Sequence, residues 1–291
     1  MLKIGFSDFY GYKNSPFDWF EIDDFILRAF REYGIDYLVV DPSDEECDIV
    51  FKSVFKNGAP IKGHPIIIGY TGEPIYNVKD AVLSLTFDDD SETNLYYPSW
   101  QTQSRRYYEN PIVKNADEKR LFCSFAQGVE VEKRTATYFY LCENYKQIIS
   151  YGSIYCTNGY QLKNYKKNFK LFQDAHRQVK FNMCFENAET SGKTSFITER
   201  IIHAYAFGTV PIYCGAENIV RWFNPDSFIN CNGLTNEEIL EKVAEVDNND
   251  SLYRDMLYAK PFKEDINWKE YSYERLISFL KSKNVIWKML L

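Results

Sequence analysis

The sequence predicts an α/β protein of two successive parallel-sheet units with a cleft between them. Three observations carry this. Strand-like and helix-like segments alternate along 291 residues; the alternation lapses once, between about Pro98 and Lys119; and it then restarts in the same style. Parallel neighbours need a crossover connection, so such alternation puts helices on the faces of a mainly parallel sheet. The length suits two domains of ordinary size.

Leu2–Phe6 is an apolar run that reads as a buried strand. From Asp18 to Tyr33, apolar residues at Ile22, Phe25, Ile26, Ala29, Phe30 and Tyr33 give the spacing of an amphipathic helix, and Gly34 is its stop. Strands follow at Tyr37–Val40, Cys47–Phe51, Pro65–Gly69 and Ala81–Phe87, joined by polar turns. The polar, aromatic and charged stretch that comes next is read as the linker, with one domain over 1–115 and the other over 116–291. In the second half, strands are expected at Leu121–Phe125, Val179–Phe185 and Thr209–Tyr213. Helices are expected at Lys133–Tyr145, Tyr165–Arg177, Ile197–Phe207, Asn236–Glu245, Ser251–Tyr258 and Tyr273–Lys281. There is no internal repeat, low-complexity tract or heptad array.

With 34 basic and 41 acidic residues the net charge is −7, which argues against a nucleic-acid protein working mainly through phosphate charge. Hydrophobic residues at 45% are enough for a large core. The 23 Tyr and 22 Phe suit a cleft that stacks on rings, although composition alone favours a plain genomic bias. Seven cysteines form no C-x-x-C pair and several sit inside apolar runs, so they read as small core residues of a reducing compartment. His64, His176 and His203 lack ligand spacing, which speaks against zinc. The N-terminus enters a strand directly and no long apolar run follows, so the expectation is a soluble cytoplasmic protein.

The richest stretch is 180–230. A strand ends in Glu186-Asn187, a polar loop follows, and Thr194 or Ser195 is placed to cap the next helix. Glu199 and Arg200 fall in its first turns, near the carboxyl end of the sheet where α/β proteins bind ligands and where helix amides favour anions. Ser191-Gly-Lys193-Thr imitates a P-loop, but the first glycine of that motif would be at position 187, which is Asn187; Lys193 then reads as a solvated loop charge. Asp88-Asp-Asp90 has hard ligands for a divalent metal, yet a charged turn is the preferred reading. Glu73 follows a strand directly, and the residues alone leave it between a general base and, preferred, an exposed turn glutamate. Arg134, in Glu132-Lys-Arg134, is either a phosphate-binding cation or a surface charge.

Together these pieces resemble glycosyltransferase family 10, the α-1,3/1,4-fucosyltransferases, and most closely its bacterial members. Four blocks carry the likeness in order: Phe181 to Asn187 (F-x-x-x-F-E-N), Thr198-Glu199-Arg200 (T-E-K), Val210 to Gly215 (V-P-I-x-x-G) and Phe223 to Ile229 (F-x-P-x-S-F-I). Weaker matches at Asp48–Ser53, Thr71-Gly-Glu73, Tyr96–Trp100 and Arg254–Tyr258 extend it over nearly the whole chain.

The resemblance implies a GT-B architecture of two Rossmann-like domains facing a central cleft. The N-terminal domain would take the acceptor oligosaccharide and the C-terminal domain, with its final helices, GDP-fucose. It implies an inverting transfer of L-fucose to a hydroxyl of a GlcNAc-containing glycan, α-1,3 linkage first. Glu73 matches the family's proposed base, which reverses the preference stated above. Arg134, Asn187, Ser195, Glu199 and Arg200 match donor-site positions. No cofactor is implied, and no essential divalent metal, since protein cations can meet the leaving charge. Arg200 replaces a lysine and Ser195 stands where many members have an aromatic, so donor contacts there are expected to differ. The heptads and basic tail of some bacterial members are missing, so membrane association is expected to be peripheral at most, at the inner membrane. A GT-B transferase using another nucleotide sugar, a non-catalytic glycan binder and a P-loop module stay open as alternatives.

Overall fold

The computed structural model describes residues 1–9, 26–56, 58–75, 77–101, 112–153, 155, 157, 169–190, 195–264, 266 and 273–286. The chain divides into two compact units, Met1–Thr102 with Asn267–Leu291, and Gln103–Ile266.

In the first unit the described strands are β1 (Leu2–Ser7), β2 (Tyr37–Val39), β3 (Ile49–Lys52), β4 (Ile66–Tyr70), β5 (Leu83–Thr86) and β6 (Asn94–Tyr96). They form one sheet in the order β2-β1-β3-β4-β5-β6, and every pairing is parallel. Helix α1 (Arg28–Glu32) ends at Gly34, whose φ of +63° suits a residue without a Cβ. Its Ala29 and Phe30 are buried as the spacing predicts, whereas Tyr33, placed on the same apolar face, is 42% exposed. The first part of that expected helix, 18–25, lies outside the described residues. Phe6 stacks on Phe51 with ring centroids 5.7 Å apart, and Phe9 stacks on Tyr70 at 5.6 Å, so part of the aromatic surplus is plain core.

The second unit carries β7 (Leu121–Phe125), α2 (Glu132–Asn144), β8 (Ile148–Ser150), α3 (Phe169–His176), β9 (Val179–Thr190), α4 (Arg200–Ala206), β10 (Val210–Ala216), β11 (Ile229–Asn230), α5 (Asn236–Asp247) and α6 (Asp250–Tyr258). Its sheet runs β11-β10-β9-β7-β8, again parallel throughout. Cys123, Cys184, Cys214 and Cys231 are buried, as expected of small core residues, and burial pushes the thiols of Cys123 and Cys184 well above the usual value.

Helix α7 (Tyr273–Ser282) departs from the expected division at residue 115. It belongs to the first unit, because Tyr273, Leu276, Ile277 and Leu280 form a stripe one helix face wide and join the apolar cluster of β1, β3 and β4. Arg275 adds an ion pair to Asp90 and a bond to the Tyr96 carbonyl at 3.4 Å. Strands β6, β8 and β11, unforeseen from sequence, are two- or three-residue sheet edges, too short to show a period.

Candidate functional site

The helix expected at Ile197–Phe207 begins instead at Arg200, so residues 195–199 form an irregular passage between β9 and α4. Strand β9 runs on to Thr190, past the expected end at Phe185, and Arg200 comes back to Glu186 and Asn187 within it. Arg200 Nη1 donates to Glu186 Oε2 at 2.8 Å and to Thr198 Oγ1 at 2.9 Å, and Nη2 donates to Asn187 Oδ1 at 3.2 Å. Arg134 reaches the same point from the first turn of α2. Its Nη1 donates to the Phe185 carbonyl at 3.2 Å and to Asn187 Oδ1 at 3.1 Å, and its Nη2 donates to the Val129 carbonyl.

Arg134 is therefore no surface charge: it is 1% exposed, and its Nε is buried without a hydrogen-bond partner. Burial, with the Arg200 charge adding to it, pulls its value down to about 10. Burial alone would lower Arg200 too, but Glu186 and then Glu199 outweigh it and hold Arg200 above its usual value. Two guanidiniums thus stay charged beside one amide oxygen, a constellation that attracts an oxyanion.

A cavity of about 260 Å³ adjoins this cluster. Arg200 and Glu199 line it with Gln127 and Asn182, while Phe172, His203 and Phe207 supply an apolar wall. Ser195 is not among its lining residues; it is fully buried, and its hydroxyl accepts from Asn218 Nδ2 at 2.7 Å. Lys193 and the rest of the P-loop look-alike at 191–194 lie outside the described residues.

In the first unit Glu73 is half-buried at the carboxyl end of β4. Its turn is closed by Thr71, whose hydroxyl accepts from the Glu73 amide at 3.0 Å and donates to the Glu73 carbonyl at 2.8 Å. The Asp88–Asp90 cluster has turn geometry: Asn94 Nδ2 donates to the Asp88 and Asp89 carbonyls at 2.9 and 3.1 Å, and Asp90 takes the Tyr96 amide at 2.8 Å besides pairing with Arg275. Among the described residues no three His, Cys, Asp or Glu side chains gather to hold a metal ion.

Glu186 and Thr198 join the site although neither was expected there from sequence. Both stand inside the two motif blocks already singled out, and a charged residue directly after the apolar Met183-Cys-Phe185 was the available signal.

A family profile described as glycosyltransferase family 10 (fucosyltransferase), C-terminal part, matches residues 113–283. The chain belongs to this family. It is 33% identical over 209 residues to the α-(1,3)-fucosyltransferase FucT of Helicobacter pylori, covering 70% of this chain and 41% of that protein. It is 25% identical over 200 residues to the putative fucosyltransferase R654 of Acanthamoeba polyphaga mimivirus, covering 64% and 32%. The chain thus spans well under half the length of these relatives. Among solved structures, an α1,3-fucosyltransferase crystallised with GDP-fucose matches with a TM-score of 0.76 at 23% identity, over 97% of this chain and 89% of that one. An α-glucosyltransferase with UDP-glucose and DNA matches at 0.52 and 12% identity, over 97% of each chain. These likenesses show the fold, and it is the GT-B fold expected for the family.

Proposed function

We propose that this family 10 chain is an inverting transferase that moves L-fucose from GDP-fucose to a hydroxyl of a GlcNAc-containing acceptor oligosaccharide, in α-1,3 linkage. The observation that supports the reading most is the pair of guanidiniums, Arg134 and Arg200, meeting at Asn187 Oδ1 on β9. Charge grows on the diphosphate as the C1–O bond of the donor breaks, and two fixed cations are suited to absorb it. Glu199, lining the adjoining cavity, would accept from ribose or fucose hydroxyls. Ser195 is assigned a supporting place through Asn218.

On this reading the acceptor oxygen attacks C1 from the side opposite the leaving diphosphate, the C–O bond to GDP breaks, and the acceptor proton passes to Glu73. The Thr71 hydroxyl fixes the turn that presents Glu73. The cationic pair makes a divalent metal dispensable, so chelation leaves transfer unchanged; a strict manganese requirement, lost on replacing Asp88 and Asp90, would overturn this part. No helix among the described residues is long and apolar enough to cross a membrane. We assign the protein to the cytoplasm, at most peripheral to the inner membrane, with no nucleic-acid partner. The reading is tested by incubating the protein with GDP-fucose and an acceptor panel and determining the linkage of the product. Transfer from another nucleotide sugar in place of GDP-fucose would overturn it.

A further inference from the structure

We propose that Glu186 is the positioning residue of the donor site, whose buried carboxylate sets the Arg200 guanidinium, and through Asn187 that of Arg134, in the attitude that meets the leaving diphosphate. The inference rests on the donor-site reading above and deepens it.

Three successive motif blocks meet on this one side chain. Glu186 is 4% exposed. Its Oε1 accepts from the Thr198 amide at 2.8 Å, and its Oε2 accepts from the Thr198 hydroxyl at 2.7 Å and from Arg200 Nη1 at 2.8 Å. The third block leaves room for it: a Cβ built on Gly215 would fall 2.5 Å from Glu186 Cγ and 2.9 Å from its Cβ, a clash that any other residue would bring. The side chain is thus held on both oxygens and hemmed in along its stem.

A carboxylate costs several kcal/mol to bury, and an ion pair in such a place rarely stabilises a fold more than apolar packing would. Here the carboxylate holds a planar fork by one nitrogen, Nη1, so the plane of the guanidinium is set while Nη2 extends to Asn187. Thr198 closes the triangle, donating to Glu186 and accepting from Arg200 Nη1 at 2.9 Å. A lysine at position 200 would keep the charge without that planar register.

A merely structural role would be to tie residues 195–200 to β9 through Thr198. The two roles separate in a double-mutant cycle read by GDP affinity in calorimetry, with melting temperature and circular dichroism recorded for each protein. Glu186→Gln keeps the size but sets an amide N–H against a donor. It is expected to weaken GDP binding about tenfold or more, the scale of one charge-assisted hydrogen bond. In an Arg200→Gln background the same change is expected to cost less than about twofold, because the group it positions is gone. Equal losses in both backgrounds would overturn the proposal, as would a folded Glu186→Gln protein with undiminished affinity. Should Glu186→Gln fail to fold, Thr198→Val, which removes the hydroxyl shared by both partners, takes its place in the cycle with the same expectation. Wild-type protein that binds no GDP would overturn the donor-site reading itself, a result distinct from wild-type binding with an additive cycle.

Discussion

Arg134 and Arg200 donate to the same atom, Asn187 Oδ1, at 3.1 and 3.2 Å. Two like charges are brought together by an uncharged acceptor, and since Glu186 offsets only the charge of Arg200, the cluster of these three side chains keeps a net positive charge for a ligand. Asn187→Asp keeps the shape and places a negative charge between them. The expected result is a GDP dissociation constant raised about tenfold or more, with a melting temperature no lower than wild type, since the pair is now neutralised. Calorimetry and a thermal melt check both halves; unaltered affinity would show that the two cations do not face the donor.

Glu73→Gln removes the proton acceptor while leaving the Thr71 bonds to the backbone of the turn in place. Transfer is expected to fall about 10²–10⁴-fold, the usual contribution of general base catalysis, with GDP affinity unchanged. Initial rates at saturating GDP-fucose, alongside calorimetry with GDP, measure the two quantities. Comparable rates in the variant would exclude Glu73 as the base.

His176 sets a pH dependence of stability. It is fully buried among aromatic rings, stacked on Phe207 at 4.5 Å and beside Tyr151 at 5.1 Å. Its Nδ1 donates to the Phe172 carbonyl at 2.7 Å, and its Nε2 has no partner. Burial lowers its value from 6.5 to about 4, with the nearby Lys119 charge acting in the same direction. Between those values the unfolded chain binds a proton that the folded one does not. The stabilisation is therefore intact above pH 6.5 and is lost as pH falls toward 4, by an amount on the order of 3 kcal/mol. Denaturant melts from pH 7 to 4 show the slope. In His176→Phe, whatever its absolute stability, the slope over that window flattens; an identical slope would assign the effect to other groups.

The two ways α7 is fastened to its sheet are expected to matter unequally. Leu280 is fully buried in the apolar cluster of the first unit, and Leu280→Ala should cost about 2–5 kcal/mol there. The Arg275–Asp90 pair is largely solvated on the aspartate side, 54% exposed, and Arg275→Ala should cost about 1 kcal/mol or less. Hydrogen exchange of the β1 and β3 amides reads this locally, with β9 and β10 amides unchanged in both variants. Equal acceleration in the two variants would put the weight on the ion pair instead.

The motif blocks were legible because most of their residues are core positions whose type and spacing are strict: Phe181, Phe185, Val210 and Ile212 are all buried in one cluster. The parallel sheets were legible for the same reason, since strands buried on both faces appear as unbroken apolar runs. Three things were not. The short strands β6, β8 and β11 carry no period. The apolar stripe of α7 announces a buried face but not the surface that buries it, so the helix was assigned by proximity in sequence to the wrong unit. The work of Glu186 exists only once Thr198, Arg200 and Gly215 have been folded around it, and although all four lie between 186 and 215, their spacing does not announce that they meet.

The return of α7 to the first sheet has a consequence for how the chain is made. Residues 103–266 form an insertion within a unit whose two pieces flank them. During synthesis the inserted unit emerges complete while the outer one still lacks Tyr273, Leu276, Ile277 and Leu280. For that interval the apolar cluster of β1, β3 and β4 is packed by α1 but not yet by α7. The core begun by the segment translated first is therefore completed only after residues 103–266 have been made.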